Sequence, residues 1–126
     1  MTIYHAELTL PIDGAINQQT TLEIKVNEGI LADFYVVFPG GHAGLTNARI
    51  LQEGSQIIPW NNLNYLTGDN ISFRFNPGIE IIGGGIPLIF SGYNLDDTYP
   101  HTVYFDFDVQ PQVDAARRGL RERLGL

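Results

Sequence analysis

Hydrophobic and polar residues alternate in short stretches along most of this chain, and a two-residue period is typical of β-strands with one buried face. The clearest stretch runs from Thr102 to Val109, directly after a polar turn that contains Asp96, Asp97 and an X-Pro step. Its polar positions, among them Asp106 and Asp108, are predicted to face solvent. Its apolar positions are predicted to face a core, and they are Val103, Phe105, Phe107 and Val109.

Similar stretches recur along the chain, separated by turns drawn from its 14 glycines and 7 prolines. With the stretch above they predict eight or nine short strands joined by short loops. We therefore expect an all-β fold, an antiparallel two-sheet sandwich of jelly-roll type. The other predicted strands are Ile3–Leu10, Gln19–Val26, Ile30–Phe38, Asn47–Glu53, a short strand beginning at Gln56, Asn70–Phe75, Ile79–Ile82 and Ile86–Tyr93.

The strand Ile30–Phe38 is apolar on much of both faces. Alternation predicts that its even-numbered residues point inward and that Leu31, Asp33, Tyr35 and Val37 point outward. Such a strand lies either in the centre of a sheet or under a partner that covers its outer face.

The last segment has a different pattern, since residues 111–126 consist mainly of good helix formers with a narrow apolar stripe. We expect a short C-terminal α-helix there, appended to a β-sandwich domain at residues 1–110. The whole chain carries a formal charge of −7, and residues 113–126 carry a net +2, so that residues 1–112 carry −9. The segment either docks on its own acidic domain or forms an arm that grips a neighbouring subunit. Its four arginines are Arg117, Arg118, Arg121 and Arg123.

Composition excludes several classes of function. The chain has no cysteine, so disulfides, thiolate metal sites and a cysteine nucleophile are absent. The excess of acids disfavours nucleic acid as a partner. The N-terminal residues lack the pattern of a signal peptide, and no stretch has the length of a membrane span, so we expect a protein made in the cytoplasm of the producing cell with no membrane partner.

Catalytic and metal-binding motifs are not evident in the sequence. The three histidines, His5, His42 and His101, do not have metal-ligand spacing, although an enzyme that uses them on a jelly-roll scaffold stays open as a hypothesis. Asn94, Asp96 and Asp97 do not follow the spacing of a calcium loop, and Asn and Asp are common in ordinary turns. We therefore predict no catalytic residue, no metal and no cofactor.

Two sets of residues are candidates for contacts. The first is a protein interface formed by the outward face of Ile30–Phe38, the loops at 39–47 and 93–101 and the C-terminal segment; its residues are Tyr35, His42, Asp96, Asp97, Tyr99 and the four arginines. The second is a sugar-binding patch with an aromatic face and amide donors, as in a carbohydrate-binding or adhesin-like module. Its residues are Trp60, Asn61, Asn62 and Tyr65.

Three segments resemble small structural proteins from the virions of tailed bacteriophages. The resemblance covers about residues 2–110, and it implies a β-sandwich that sits on a particle as trimers or clusters and binds major capsid or tail subunits. The resemblance implies no catalytic residue. Together with the apolar faces and the separated charge, it predicts a non-enzymatic decoration, or cement, subunit of a virion. The segments are Phe38–Leu45, Ile50–Asn61 and Tyr93–Val103.

Overall fold

Two antiparallel sheets hold all the strands in the part of the chain that the computed structural model describes, which comprises residues 2–15, 17–59, 64–81 and 87–111. The strands of these residues are β1 (Thr2–Leu10), β2 (Thr20–Lys25), β3 (Gly29–Phe38), β4 (Thr46–Gln52), β5 (Ser55–Ile58), β6 (Leu66–Thr67), β7 (Ile71–Phe75), β8 (Ile79–Ile81), β9 (Pro87–Asn94) and β10 (His101–Gln110).

Each sheet has a long strand near its centre. Sheet 1 has the order β1-β10-β3-β7, with β8 also paired to β3, and sheet 2 has the order β2-β9-β4-β5, with β6 paired to β4. Strands β1, β3 and β9 end at the same end of the fold, where β4, β7 and β10 begin. We call this the loop end, and we call the opposite end, where β10 reaches Gln110, the tail end.

Buried side chains from both sheets form one hydrophobic core between them. Phe34 of β3 stacks on Phe107 of β10, with 4.9 Å between the ring centroids. Phe90 of β9 approaches from the other sheet, and its ring centroid lies 4.8 Å from that of Phe105 and 6.1 Å from that of Phe34. All four apolar residues predicted to be core in the last strand are buried, as the alternating pattern requires.

An irregularity in the pairing of β3 with β10 changes the predicted orientation of two residues. Phe107 pairs with Phe34 but Val109 pairs with Leu31, so two steps along β10 match three steps along β3. An extra residue of this kind is a β-bulge. Leu31, predicted to point outward, is fully buried, and Ile30, predicted to point inward, is half-buried. These two predictions are wrong because a one-residue shift exchanges the two faces of a strand.

The predicted all-β fold with two antiparallel sheets is confirmed, and each predicted strand has a counterpart. The short strand β6 is additional, since two residues give no periodic pattern. Pro111 has no regular structure, and the rest of the predicted C-terminal helix, with its four arginines, lies outside the described residues. Within the described ranges, no helix is long and apolar enough to cross a membrane.

Candidate interaction platform

Three loops at the loop end are joined by backbone hydrogen bonds. The Asp13 amide donates to the Asp96 carbonyl (2.9 Å) and the Gly14 amide to the Asn94 carbonyl (2.7 Å), while the Leu95 amide donates to the Leu45 carbonyl (2.9 Å). Residues 94–96 therefore hold the loop after β1 on one side and the loop after β3 on the other. We call residues 11–15, 39–45 and 94–101 together the loop platform.

A cluster of buried polar side chains lies beneath this platform. His42 is only 2% exposed, and its Nδ1 lies 2.6 Å from the hydroxyl of the buried Thr46. The rings of His42 and His101 lie 4.5 Å apart, and His101 Nε2 lies 2.8 Å from a carboxylate oxygen of Asp96. The cluster links the end of β3 to the start of β10 because the antiparallel pairing brings these two points together.

The surroundings of these groups shift their proton affinities. Burial lowers the pKa of His42, and the neighbouring His101 lowers this pKa further. The hydrogen bond from His101 holds the pKa of Asp96 below its ordinary value, with further help from the Thr98 amide. At neutral pH, His42 is therefore an uncharged packing group, whereas Asp96 is an ionised acceptor.

The loop between β9 and β10 is shaped by two side chains of its own. Asp96 accepts hydrogen bonds from the amides of Thr98 (2.9 Å) and Tyr99 (3.4 Å). Asn94 accepts from the Asp96 amide (2.9 Å) and donates to the carbonyls of Tyr99 (3.0 Å) and Leu10 (3.4 Å). These are the bonds with which Asn and Asp stabilise turns. The loop is thus ordered by internal contacts before any partner binds.

Large apolar side chains project from the ordered loops. Tyr99 is 66% exposed, Leu95 is 53% exposed and Ile12, in the adjoining loop, is 42% exposed. Asp97 and Pro100 are exposed beside them. Aromatic and aliphatic side chains held on a fixed backbone are the usual anchors of protein interfaces.

The structure separates the predicted interface residues into three groups. The side chains of Asp97 and Tyr99 are exposed on the platform, while those of His42 and Asp96 point beneath it and support its backbone. Tyr35 lies on the outer face of sheet 1, where the guanidinium of Arg74 is 5.3 Å from its ring centroid. The four arginines of the C-terminal segment lie outside the described residues.

The predicted sugar-binding patch is described only at Tyr65. The guanidinium of Arg49 lies 5.0 Å from the centroid of this ring, Tyr93 meets it edge-on at 5.3 Å, and its hydroxyl accepts a hydrogen bond from Gln19. Tyr65 is half-buried, and Arg49 lies over one face of its ring. Trp60, Asn61 and Asn62 lie outside the described residues.

The three histidines of the enzyme hypothesis do not form one group, because His42 and His101 meet but His5 lies apart from them. His5 lies on the outer face of sheet 1, with its Nδ1 2.6 Å from Asp106 and its Nε2 3.2 Å from Glu7. Across the described ranges, no three or more His, Asp or Glu side chains are grouped in a way that could hold a metal ion. The close contact of His42 with His101 is absent from the sequence-based predictions, and the pairing of β3 with β10 is the only signal that could have revealed it.

Comparison with known proteins adds one likeness in fold. No protein-family model matches the chain, and no curated protein matches it. A crystal structure of FLHE is similar over 86% of this chain and 96% of that chain, with a TM-score of 0.46 and 10% sequence identity. A likeness at this level says nothing about function.

The buried His42 gives the protein a pH dependence that can be measured. The unfolded chain takes up a proton at His42 near its ordinary pKa of 6.5, whereas the folded protein takes it up only at lower pH, so stability is expected to fall as the pH drops below 6.5. The variant His42→Gln is expected to have a shallower slope in this range. Urea unfolding midpoints measured between about pH 8 and about pH 5 give both slopes.

His5 is a matched control because its shift has the opposite sign. Asp106, followed by Glu7, raises the pKa of His5 above 6.5. Its contribution to stability is complete below pH 6.5 and is lost as the pH rises through the folded pKa. The variant His5→Gln should therefore change the slope above pH 6.5 and leave the slope below it unchanged. Equal slopes for wild type and His42→Gln below pH 6.5 would contradict the role given to His42.

Proposed function

We propose that this protein is a non-enzymatic structural subunit that binds a neighbouring protein through its loop platform. One observation carries the proposal: Tyr99 and Leu95 are exposed on a loop that Asn94 and Asp96 already hold in place. Binding by an ordered loop avoids much of the entropy cost of ordering it on contact. The exposed side chains then supply apolar surface for the partner to bury.

Charge narrows the chemistry of that partner. Asp97 is exposed beside the apolar anchors, and residues 1–112 carry a net −9. A surface with basic or neutral polar groups around an apolar depression complements this arrangement, whereas an acidic surface is repelled. The same charge weighs against nucleic acid as the ligand of the platform.

The resemblance to tailed-phage structural proteins supplies the setting of the proposal. In that setting the chain is a decoration or other accessory subunit of a virion, bound to major capsid or tail subunits and to further copies of itself, for example as a trimer. Repeated copies on a particle add avidity, so a modest contact from each platform is sufficient. The jelly-roll connectivity and the C-terminal helix at 111–126 belong to this proposal as well.

The double variant Leu95→Ser/Tyr99→Ser tests the platform on purified particles of the producing phage. Loss of two anchors, each contributing about 1 to 2 kcal/mol, is expected to weaken binding at least about tenfold. The measurement is the amount of added protein that sediments with particles lacking their own copy. The control is Ile3→Ser, which removes an aliphatic side chain that is 72% exposed at the tail end.

The experiment has three informative outcomes. Binding that is lost in the double variant and kept in Ile3→Ser supports the platform. Binding that is equal in all three proteins contradicts the platform, and absence of wild-type protein from the particles contradicts the virion setting.

A further inference from the structure

A pocket of about 240 Å³ lies on the outer face of sheet 1, toward the tail end. The bulge in β3 shapes this region, because it leaves the Asp33 amide outside the regular ladder and the Asp108 carboxylate accepts that amide at 2.7 Å. Asp108 is thereby drawn in until it is only 9% exposed. The lining residues are Ile3, Asp33, Tyr35, Asp106, Phe107 and Asp108.

The exposed surface of the pocket is mainly apolar, and three of its six lining residues carry carboxylates. Ile3 is the most exposed of the large hydrophobic residues described, at 72%, and Tyr35 is 39% exposed. The carboxylates belong to Asp33, Asp106 and Asp108. An apolar surface flanked by acids suits a side chain with an aliphatic stem and a cationic head, which is the chemistry of arginine and lysine.

One arginine already binds beside this pocket in the predicted manner. The guanidinium of Arg74, from β7, lies over the ring of Tyr35 at 5.3 Å and 3.4 Å from the carboxylate of Asp33. This contact combines a cation-π interaction with an ion pair. The other two carboxylates each use one oxygen already, since Asp106 lies 2.6 Å from His5 and Asp108 accepts the Asp33 amide. The second oxygen of each is the acceptor left for a further guanidinium group.

The chain itself carries a segment of matching chemistry, and this segment starts close to the pocket. Asp108 of the pocket lies in β10 opposite Ile3, and Pro111 follows three residues later. Residues 113–126 hold four of the seven basic residues of the protein. They also hold the apolar stripe of Val113, Ala116, Leu120 and Leu124.

We propose that the pocket is the docking site of the chain's own C-terminal segment, residues 113–124, folded back onto the same subunit. Its arginines pair with Asp33, Asp106 and Asp108, and its apolar stripe covers Ile3 and Tyr35. This contact lies at the opposite end of the fold from the loop platform and goes beyond the function proposed above.

The affinity expected from three ion pairs favours docking within one subunit over docking between subunits. An exposed ion pair strengthens binding by less than about tenfold, so three of them give less than about a thousandfold and a dissociation constant in the millimolar range. Separate copies at micromolar concentration do not fill such a site. A short tether supplies an effective concentration of about a millimolar. From Pro111 to Arg117 a helix rises about 9 Å, and Asp108 lies about 10 Å back along β10 from Pro111, so a helix that folds back at Pro111 brings its first arginines to the pocket.

The absence of native cysteine makes disulfide trapping a direct test in the full-length protein. The double variant Ile3→Cys/Gly119→Cys is expected to form an intramolecular disulfide at least about tenfold faster than a control pair, Glu23→Cys/Gly119→Cys, under the same mild oxidant. Glu23 is an exposed residue of β2, on the other sheet. Non-reducing gels and intact mass measure both rates.

Three further measurements test the charges and the choice of subunit. Replacing all four arginines with glutamine in the Ile3→Cys/Gly119→Cys protein should slow the disulfide at least about tenfold, and 1 M salt should slow it several-fold, because the Debye length falls to about 3 Å. Single-cysteine proteins, Ile3→Cys and Gly119→Cys, mixed at micromolar concentration should give few mixed dimers. Unchanged unfolding midpoints would show that each variant folds.

Several outcomes would overturn the inference. These are equal rates for the two cysteine pairs, no effect of removing the arginines, or mixed dimers that form as fast as the intramolecular bond. Leu95→Ser/Tyr99→Ser added to the double-cysteine protein should leave the disulfide rate unchanged. Failure of the platform and failure of the docked segment are therefore distinguishable.

Discussion

Replacing Phe34 with alanine is expected to lower the free energy of unfolding by about 3 to 5 kcal/mol. Phe34 is fully buried and meets aromatic rings from its own sheet and from the facing one. Its ring is stacked on Phe107 and lies against Phe105 and Phe90. Truncation leaves a cavity where both sheets contribute side chains, and close-packed neighbours collapse into such a cavity only in part. Urea unfolding followed by far-ultraviolet circular dichroism gives the change.

The next residue along the strand is the matched control. Tyr35 points to the outer face of sheet 1, and its replacement by alanine should cost less than about 1 kcal/mol, mainly through the lost contact with Arg74. If the two variants lost similar free energies of unfolding, the face of β3 that carries Phe34 would not be more buried than the face that carries Tyr35, and the structure would be wrong at this point.

Alternation predicted most of the fold because it is a local signal. In β10 each inward residue is apolar and each is buried, so the burial of Val103, Phe105, Phe107 and Val109 could be predicted without knowing the neighbouring strands. The same reasoning failed at Leu31. A bulge arises from the register between two strands, and the sequence of one strand does not contain that register.

The bulge also explains why the pocket on sheet 1 could not be predicted. Alternation places Asp108 on a solvent face, whereas the structure draws it inward to accept the Asp33 amide. The pairing of β10 with both β1 and β3 brings Ile3, Asp33 and Asp108 together from three separate parts of the chain. Contacts of this kind depend on strand order, which the sequence pattern leaves open.

Two of the three loops of the platform, at 39–47 and 93–101, were predicted from the sequence as loops, but the roles of their residues were not. The turn chemistry of Asn94, Asp96 and Asp97 marks a shaped loop, and the structure places that loop at one end of the fold. Which of these side chains support the loop and which face outward depends on contacts that form only in the folded protein. Asp96 turns inward to His101, while Asp97 remains exposed.

The two proposed contacts act at opposite ends of the protein. The loop platform lies where β10 begins, and the pocket for the arginine segment lies where β10 ends. A segment docked at the tail end would neutralise part of the acidic surface there and cover Ile3. The large apolar side chains that stay exposed would then be mainly those at the loop end. Docking of the segment as proposed would leave the loop platform as the main exposed apolar surface of the described residues.

Asn94→Ala is expected to lower the free energy of unfolding by about 1 to 3 kcal/mol and to weaken partner binding as well. Asn94 is fully buried, and its truncation leaves the Asp96 amide and the carbonyls of Tyr99 and Leu10 without their side-chain partner. The core does not depend on these bonds, so the damage should concentrate in residues 94–101. Hydrogen exchange measures this as faster exchange of the Asp96 amide in the variant.

The control for this prediction is Asn47→Ala, at the start of the neighbouring strand β4. The side chain of Asn47 makes one long hydrogen bond, 3.5 Å to the Leu45 carbonyl, and its loss should cost less than about 0.5 kcal/mol. If Asn94→Ala leaves the Asp96 amide as protected as it is in the control, the loop does not depend on Asn94 for its order. If exchange accelerates while binding is unchanged, the ordered loop is not the binding surface, because loss of pre-organisation must weaken a contact that depends on it.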